Sequence, residues 1–224
     1  MKSRHLVFDL DGTLVDSLPG IADGLNRALA SLGLPTHSPD AVRGMIGRGA
    51  RNLCASALGY ADAADVPQEL MEALHTAFRR EYPATWRKGT FIYRGITEML
   101  TRLVSVGAHL AVLSNKPHDV TLPMVQELFR PIPFSPILGY TGNFPRKPAP
   151  DALHHIAQSW GVKTSDLTLV GDSLYDAQTA ANAGCHCILV TWGYANIQEI
   201  HNWGAPTCGT VEELRRLTLA SLMA

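Results

Sequence analysis

The sequence predicts an α/β protein, a Rossmann-like parallel-sheet core with an all-α cap domain inserted after the first strand. Three observations lead there. The chain opens on a short apolar run, Leu6-Val7-Phe8, which ends abruptly in Asp9 and Asp11 and must turn at Gly12-Thr13. Residues from Leu18 to Arg87 then carry apolar side chains at helical spacing, with no convincing strand among them. From Tyr93 onward strand-like and helix-like stretches alternate. The strands there are continuous apolar runs, as in a parallel sheet covered on both faces. The expected division is a core of residues 1–16 and 88–224 and a helical cap of residues 17–87.

Each element has its own signal. In the cap, Ile21, Leu25, Leu29 and Leu32 line one helix face that stops at Gly33. Pro35 and Pro39 mark a connector, and further helices are expected around Ala41–Met45, Arg51–Leu58 and Pro67–Glu81, the last presenting Leu70, Leu74 and Phe78. In the core, Ile96, Leu100 and Leu103 face one way on a helix that ends at Gly107. The strand His109–Leu113 follows and runs into a polar tip, Ser114-Asn115-Lys116. A helix over Val120–Phe129, a short strand near Ile137–Tyr140 and a helix over Asp151–Trp160 come next. The strand Leu167–Val170 leads to Gly171-Asp172, and a helix over Leu174–Ala183 is closed by Gly184. Ile188–Val190 is the last expected strand. Thr210-Val211-Glu212-Glu213 has the form of a capping box ahead of a final helix.

Composition bounds the function. A net charge of −1, from 19 basic and 20 acidic side chains without a Lys/Arg block, argues against nucleic acid or an anionic membrane as partner. The apolar run after Met1–His5 is too short for a signal-peptide core, and nothing later approaches a membrane span, so a cytoplasmic protein, monomer or homodimer, is expected. Cys54, Cys185, Cys187 and Cys208 are scattered in a chain too long for a disulfide scaffold. Cys185-His186-Cys187 reads as alternating strand positions rather than a zinc site, having no second ligand pair at suitable spacing.

Four polar strand tips or turns share one design: Asp9/Asp11, Ser114/Asn115, Lys147 and Asp172/Asp176. In a parallel sheet the C-terminal tips converge at one edge, where such folds bind their ligands. Clustered carboxylates with oxygen-only donors suit magnesium. A lysine and a hydroxyl beside them suit a phosphoryl group, whose oxygens need donors and charge neutralisation.

Asp9-Leu10-Asp11-Gly12-Thr13, Ser114-Asn115, Lys147-Pro148 and Gly171-Asp172-Ser173-Leu174-Tyr175-Asp176 resemble, in order and spacing, the four motifs of the haloacid dehalogenase superfamily. The resemblance covers almost the whole chain and implies a magnesium-dependent phosphomonoester hydrolase. Asp9 would be the nucleophile that becomes an aspartyl-phosphate, and Asp11 the acid and then the base. Ser114 and Lys147 would hold phosphoryl oxygens, with Asn115 contributing to substrate binding. Magnesium would lie with Asp9, Asp11 (through its main-chain carbonyl), Asp172 and Asp176. The presence of Asp11 separates the chain from the dehalogenase branch. The lack of a lysine between Leu18 and Arg87 separates it from phosphonate-cleaving relatives, which need one in the cap.

Substrate choice belongs to the cap, whose most unusual run is Gly44-Met45-Ile46-Gly47-Arg48-Gly49-Ala50-Arg51. It resembles the cap loop of the phosphoglycolate phosphatase family, which implies that Gly47, Arg48 and Gly49 meet a carboxylate on the leaving group. The bland reading is a helix connector with a solvated arginine. The expected partner is therefore a small phosphorylated metabolite, 2-phosphoglycolate first. Pyrophosphate, a nucleotide, a sugar phosphate or a phosphoglucomutase-like reaction remain same-family alternatives, and a non-catalytic phosphate-binding regulator is the alternative of another class.

Overall fold

The computed structural model describes residues 4–223, so Met1–Ser3, where the N-terminal segment begins, and Ala224 lie outside the described residues. The chain divides into two units, Met1–Val15 with Ile92–Ala224, and Asp16–Phe91. It passes between them through β2 (Val15–Asp16) and β3 (Phe91–Ile92), which form a two-stranded sheet.

The first unit is built on strand β1 (His5–Phe8), whose Leu6, Val7 and Phe8 are wholly buried. After β3 come α5 (Ile96–Ser105), β4 (His109–Pro117), α6 (His118–Leu128), β5 (Phe134–Tyr140), α7 (Asp151–Trp160), β6 (Leu167–Gly171), α8 (Leu174–Ala183), β7 (His186–Val190), α9 (Ile197–Trp203), β8 (Thr207–Cys208) and α10 (Val211–Met223). The strands lie in the order β5-β4-β1-β6-β7-β8, with every pairing parallel. Leaving β1, the chain adds β4 and β5 on one side, then crosses back to place β6 on the other. The order therefore reverses at β1, and ligands of open α/β sheets bind outside the C-terminal tips at such a point. One core cluster, with Val7, Ala111, Leu113, Leu153, Ile156, Leu167 and Leu169, packs the sheet against its helices.

The second unit holds α1 (Leu18–Ser31), α2 (Pro39–Arg43), α3 (Ala50–Ala57), a short 3-10 turn at Ala63–Asp65, and α4 (Gln68–Gly89). Helices α1 and α4 meet backbone to backbone. A Cβ on Gly20 would lie 3.0 Å from Trp86 Cα, and one on Gly89 would fall on the backbone of Gly20. The small residues are what permit that approach, with Tyr82, Thr85 and Trp86 buried on the α4 side.

Two boundaries differ from expectation for a physical reason. The helix expected around Pro67–Glu81 runs to Gly89 with Pro83 inside, and Thr85, Trp86 and Gly89 past the proline are buried. The boundary expected after residue 87 therefore falls inside a helix, and the unit takes in Lys88, exposed in the last turn of α4. Strand β4 continues through the residues expected as its polar tip, to Pro117. Among the described residues no helix is long and apolar enough to cross a membrane.

Candidate active site

Three adjacent strands, β4, β1 and β6, deliver most of the polar groups, with Lys147 coming from the loop between β5 and α7 and Asp176 from α8. Phe8 registers with Val112 on one side and Val170 on the other, so Asp9 sits at the first position past the paired segment. Its main-chain N–H still donates to the Val170 carbonyl at 2.8 Å, which fixes the backbone at the strand end. The Asp9 side chain accepts from Leu10 N–H at 2.7 Å through Oδ1 and meets Lys147 Nζ at 2.9 Å through Oδ2.

Lys147 is buried between two acids, with Asp176 Oδ1 at 2.6 Å as well. Burial alone would depress its ammonium, but Asp176 and then Asp9 outweigh that and hold its pKa above the ordinary lysine value. Asn115 braces the same residue through its main chain. The Asn115 amide accepts from Lys147 N–H at 2.8 Å and donates to the Lys147 carbonyl at 3.1 Å, reproducing a strand ladder with a side chain. The predicted substrate-binding side chain is thus occupied in holding the loop that carries Lys147.

Asp172 and Asp176 reach the site differently from each other. Asp172 ends the β6 turn, whereas Asp176 is the third residue of α8 and closes a capping box with Ser173, accepting from both its N–H (3.1 Å) and its hydroxyl (2.6 Å). Asp176 is wholly buried with both oxygens engaged. Asp172 accepts from Tyr194 N–H at 2.7 Å and from the Thr13 hydroxyl at 3.3 Å. Glycines make room for this pair: a Cβ on Gly12 or Gly193 would overlap Asp172, and one on Gly171 would overlap Asp176. Gly12 also needs its positive φ of 79° for the turn after Asp11.

The electrostatics are those of a site that could hold a cation. Asp9, Asp172 and Asp176, all buried, place one carboxylate oxygen each within 4.8 Å of one another, the group of that kind found among the described residues. Burial pushes the Asp9 carboxyl up to about 7, with Lys147 pulling against the rise and Asp176 adding to it. Burial, then Asp9 and Asp176, push Asp172 well above the carboxylate range against the hydrogen bond from Tyr194. Of these three carboxylates Lys147 pairs with two, Asp9 and Asp176, and an all-oxygen donor set with this excess of negative charge fits a hard divalent ion.

Two features escape a reading of the sequence. Lys116 Nζ lies 2.9 Å from Asp11 Oδ2, with side-chain exposures of only 5% and 12%. The available signal is a lysine two residues along a strand from Ser114, on the same face. The run Trp192-Gly193-Tyr194 is tied to the site by its contacts. The Trp192 indole N–H donates to the Thr13 carbonyl at 3.2 Å, and the Tyr194 backbone holds Asp172. Ser114 is buried at the tip of β4, its hydroxyl oxygen accepting from Lys116 N–H at 3.3 Å. In the second unit, Gly47 and Gly49 both adopt positive φ, with Gly49 capping α3. The Arg48 guanidinium between them donates to the Ala61 carbonyl at 2.8 Å and to the Ser56 hydroxyl at 3.2 Å. The Cys185/Cys187 pair stays with the core cluster of the sheet.

A doubly wound parallel sheet that gathers carboxylates, ammonium groups and a hydroxyl at its switch point defines an α/β enzyme built to handle a phosphoryl group. The chain belongs to the haloacid dehalogenase-like hydrolase family, whose pattern matches residues 6–190. Within it the chain is a phosphatase. It is 35% identical over 220 residues to a phosphoglycolate phosphatase of Pseudomonas syringae pv. tomato, covering 96% of this chain and 78% of that one. It is 34% identical over 207 residues to the phosphoglycolate phosphatase of Escherichia coli K12, covering 85% and 82%. A crystal structure named as a predicted phosphoglycolate phosphatase from Haemophilus somnus 129pt superposes with a TM-score of 0.89 at 28% identity, over 97% of this chain and 99% of that one.

Proposed function

We propose that this phosphatase is a magnesium-dependent phosphomonoesterase that works through an aspartyl-phosphate on Asp9 and takes 2-phosphoglycolate as its substrate. The observation that carries the mechanism is the buried set Asp9–Lys147–Asp176 with Asp172 beside it. Asp9 Oδ attacks phosphorus as the ester P–O bond breaks, and Asp11 gives its proton to the departing oxygen. Asp11 then takes a proton from water, which attacks the same phosphorus and frees the Asp9 carboxylate and inorganic phosphate. Lys147 and Ser114 hold phosphoryl oxygens. Asn115 serves by fixing the main chain of Lys147.

Asp9 and Asp172 would hold the magnesium ion, joined by the Asp11 main-chain carbonyl as the family resemblance implies. Asp176 supports the set by holding Lys147. Bound there, the ion would neutralise charge on the phosphoryl oxygens and on the acids. Such a reaction needs positioning and charge neutralisation more than covalent invention.

The substrate reading rests on the relatives named phosphoglycolate phosphatase and on the Gly47-Arg48-Gly49 loop of the cap. An arginine has five N–H donors, so the two bonds Arg48 makes inside the cap leave it able to take a carboxylate as well. The test is a magnesium-dependent phosphatase assay over a panel of phosphorylated metabolites, with Asp9→Asn as control. Highest kcat/KM on 2-phosphoglycolate and loss of turnover in Asp9→Asn are expected. Full turnover by Asp9→Asn would overturn the nucleophile, and a clear preference for another ester would overturn the substrate.

A further inference from the structure

We propose that Lys116 positions Asp11 for proton transfer to the leaving oxygen, so that each of the two working acids has its own ammonium. The inference rests on the reading of Asp11 as the proton carrier. Lys147 lies on Asp9 and Asp176, and Lys116 lies on Asp11 at 2.9 Å. The second pair is not a surface contact. At exposures of 5% and 12% neither side chain is free to wave in solvent, and a lysine this buried is costly unless paired.

Asp11 lies in the turn after β1, next to Gly12, where the backbone alone does not fix rotation of the carboxyl group about Cβ–Cγ. An ammonium on Oδ2 restricts that rotation and sets the plane in which the group meets the ester oxygen. Lys116 is itself well anchored for the task. It occupies the extended end of β4, its N–H donates to the Ser114 hydroxyl at 3.3 Å, and its carbonyl accepts from the Thr121 hydroxyl at 3.2 Å. Gly139 on β5 comes close against that carbonyl, where a Cβ would lie 2.8 Å from the oxygen. Because Ser114 and Lys116 alternate onto one face of β4, one strand end supplies both a group for the phosphoryl oxygens and the group that aims the acid.

A positioning role through an acid has a signature that a packing role lacks, because protonation of the leaving oxygen matters only when that oxygen is strongly basic. The experiment compares wild type, Lys116→Met and Lys116→Gln, as full-length protein with magnesium. Three substrates are used: 2-phosphoglycolate, glycerol 1-phosphate (a basic leaving oxygen without a carboxylate) and p-nitrophenyl phosphate (a weakly basic one). The readout is kcat/KM, which reports the phosphorylation half-reaction. We expect Lys116→Met to lower kcat/KM about ten- to a hundredfold on both alkyl esters, part of what a misaimed general acid costs, and less than about threefold on the aryl ester. Lys116→Gln, which keeps an N–H donor, should fall between, and it carries the test alone if the Met variant does not fold.

An equal loss on all three esters would overturn the inference in favour of plain packing. A loss confined to 2-phosphoglycolate would overturn it in favour of a carboxylate contact, and no loss would overturn it outright. Asp11→Asn separates this from the underlying reading. If that variant shows no discrimination between alkyl and aryl esters, the assignment of Asp11 falls and takes the inference with it. If it discriminates and the Lys116 variants do not, the inference alone falls.

Discussion

Gly193→Ala tests how the structure holds Asp172. The Asp172 carboxylate receives the Tyr194 N–H at 2.7 Å and the Thr13 hydroxyl at 3.3 Å, and the Gly193 Cα faces it so closely that an added Cβ would overlap Oδ2 and the Asp172 Cβ. Either the acid rotates or the loop retreats, and both movements break the Tyr194 contact. A hydrogen bond to a charged group contributes about 1.5–3 kcal/mol. At about 1.4 kcal/mol per factor of ten, that is roughly ten- to a hundredfold in affinity. The loss usual when a group orienting a metal ligand is removed falls in the same range of about ten- to a hundredfold. The assay is calorimetric titration of magnesium into wild type and variant, with the melting midpoint of the metal-free forms alongside. Overpacking costs about 1–3 kcal/mol, so some fall in the midpoint is expected as well. Unchanged magnesium affinity, within about twofold, would refute the claim that this backbone orients Asp172.

The acids predict a pH-dependent response to metal. With the Asp9 carboxyl raised to about 7 and Asp172 raised too, the native state keeps protons that the unfolded chain has released. Stability from these groups is therefore lost as pH climbs from the ordinary carboxylate range through about 7. Magnesium held by these acids would remove that penalty, so scanning calorimetry should find a larger magnesium-induced rise in melting midpoint at about pH 8 than at about pH 5.5. Lys147→Met leaves Asp9 and Asp176 without their shared ammonium. Urea unfolding of the metal-free variant should show a loss of about 3–5 kcal/mol at about pH 8 that shrinks as the acids take up protons. Arg48→Ala should raise KM for 2-phosphoglycolate selectively over p-nitrophenyl phosphate, as expected of a contact made equally in the ground and transition states. A lower melting midpoint with no selective change in KM would reduce Arg48 to its bonds with Ala61 and Ser56.

The order of strands and helices is legible in the sequence because buried parallel strands and amphipathic helices carry strong, uninterrupted signals. Asp151–Trp160 and Leu174–Ala183 form the helices expected there, the second closed by Gly184. Expectation and structure part where tertiary context overrules a local signal. The helix expected to reach Glu81 continues through Pro83 to Gly89, with Tyr82, Thr85 and Trp86 buried beyond what the sequence reveals. Strand β4 reads as ending at Leu113 because polar residues follow, but Ser114, Asn115 and Lys116 stay extended and buried, Asn115 and Lys116 engaged by partners distant in sequence and Ser114 by the Lys116 N–H. Helix α9 and strand β8 are short and weakly patterned, and the sequence signals neither.

Of the site, the motif spacing places Asp9, Asp11, Ser114, Lys147, Asp172 and Asp176 in the first unit, and the structure brings Asp9, Lys147, Asp172 and Asp176 into one cluster. What spacing does not convey is pairing. That Lys116 belongs to Asp11, that Asn115 belongs to Lys147, and that Gly193 is small so that Asp172 can approach are facts of tertiary distance.

The central claim is that Asp9 carries the phosphoryl group. The direct measurement is rapid acid quench during turnover of 2-phosphoglycolate, followed by borohydride reduction and peptide mass spectrometry, since an aspartyl-phosphate is reduced to homoserine. Homoserine is expected at position 9 in the wild type and not in Asp9→Asn. A phosphoryl group trapped on another residue, or no conversion at Asp9 while glycolate is being released in a burst ahead of phosphate, would contradict the claim.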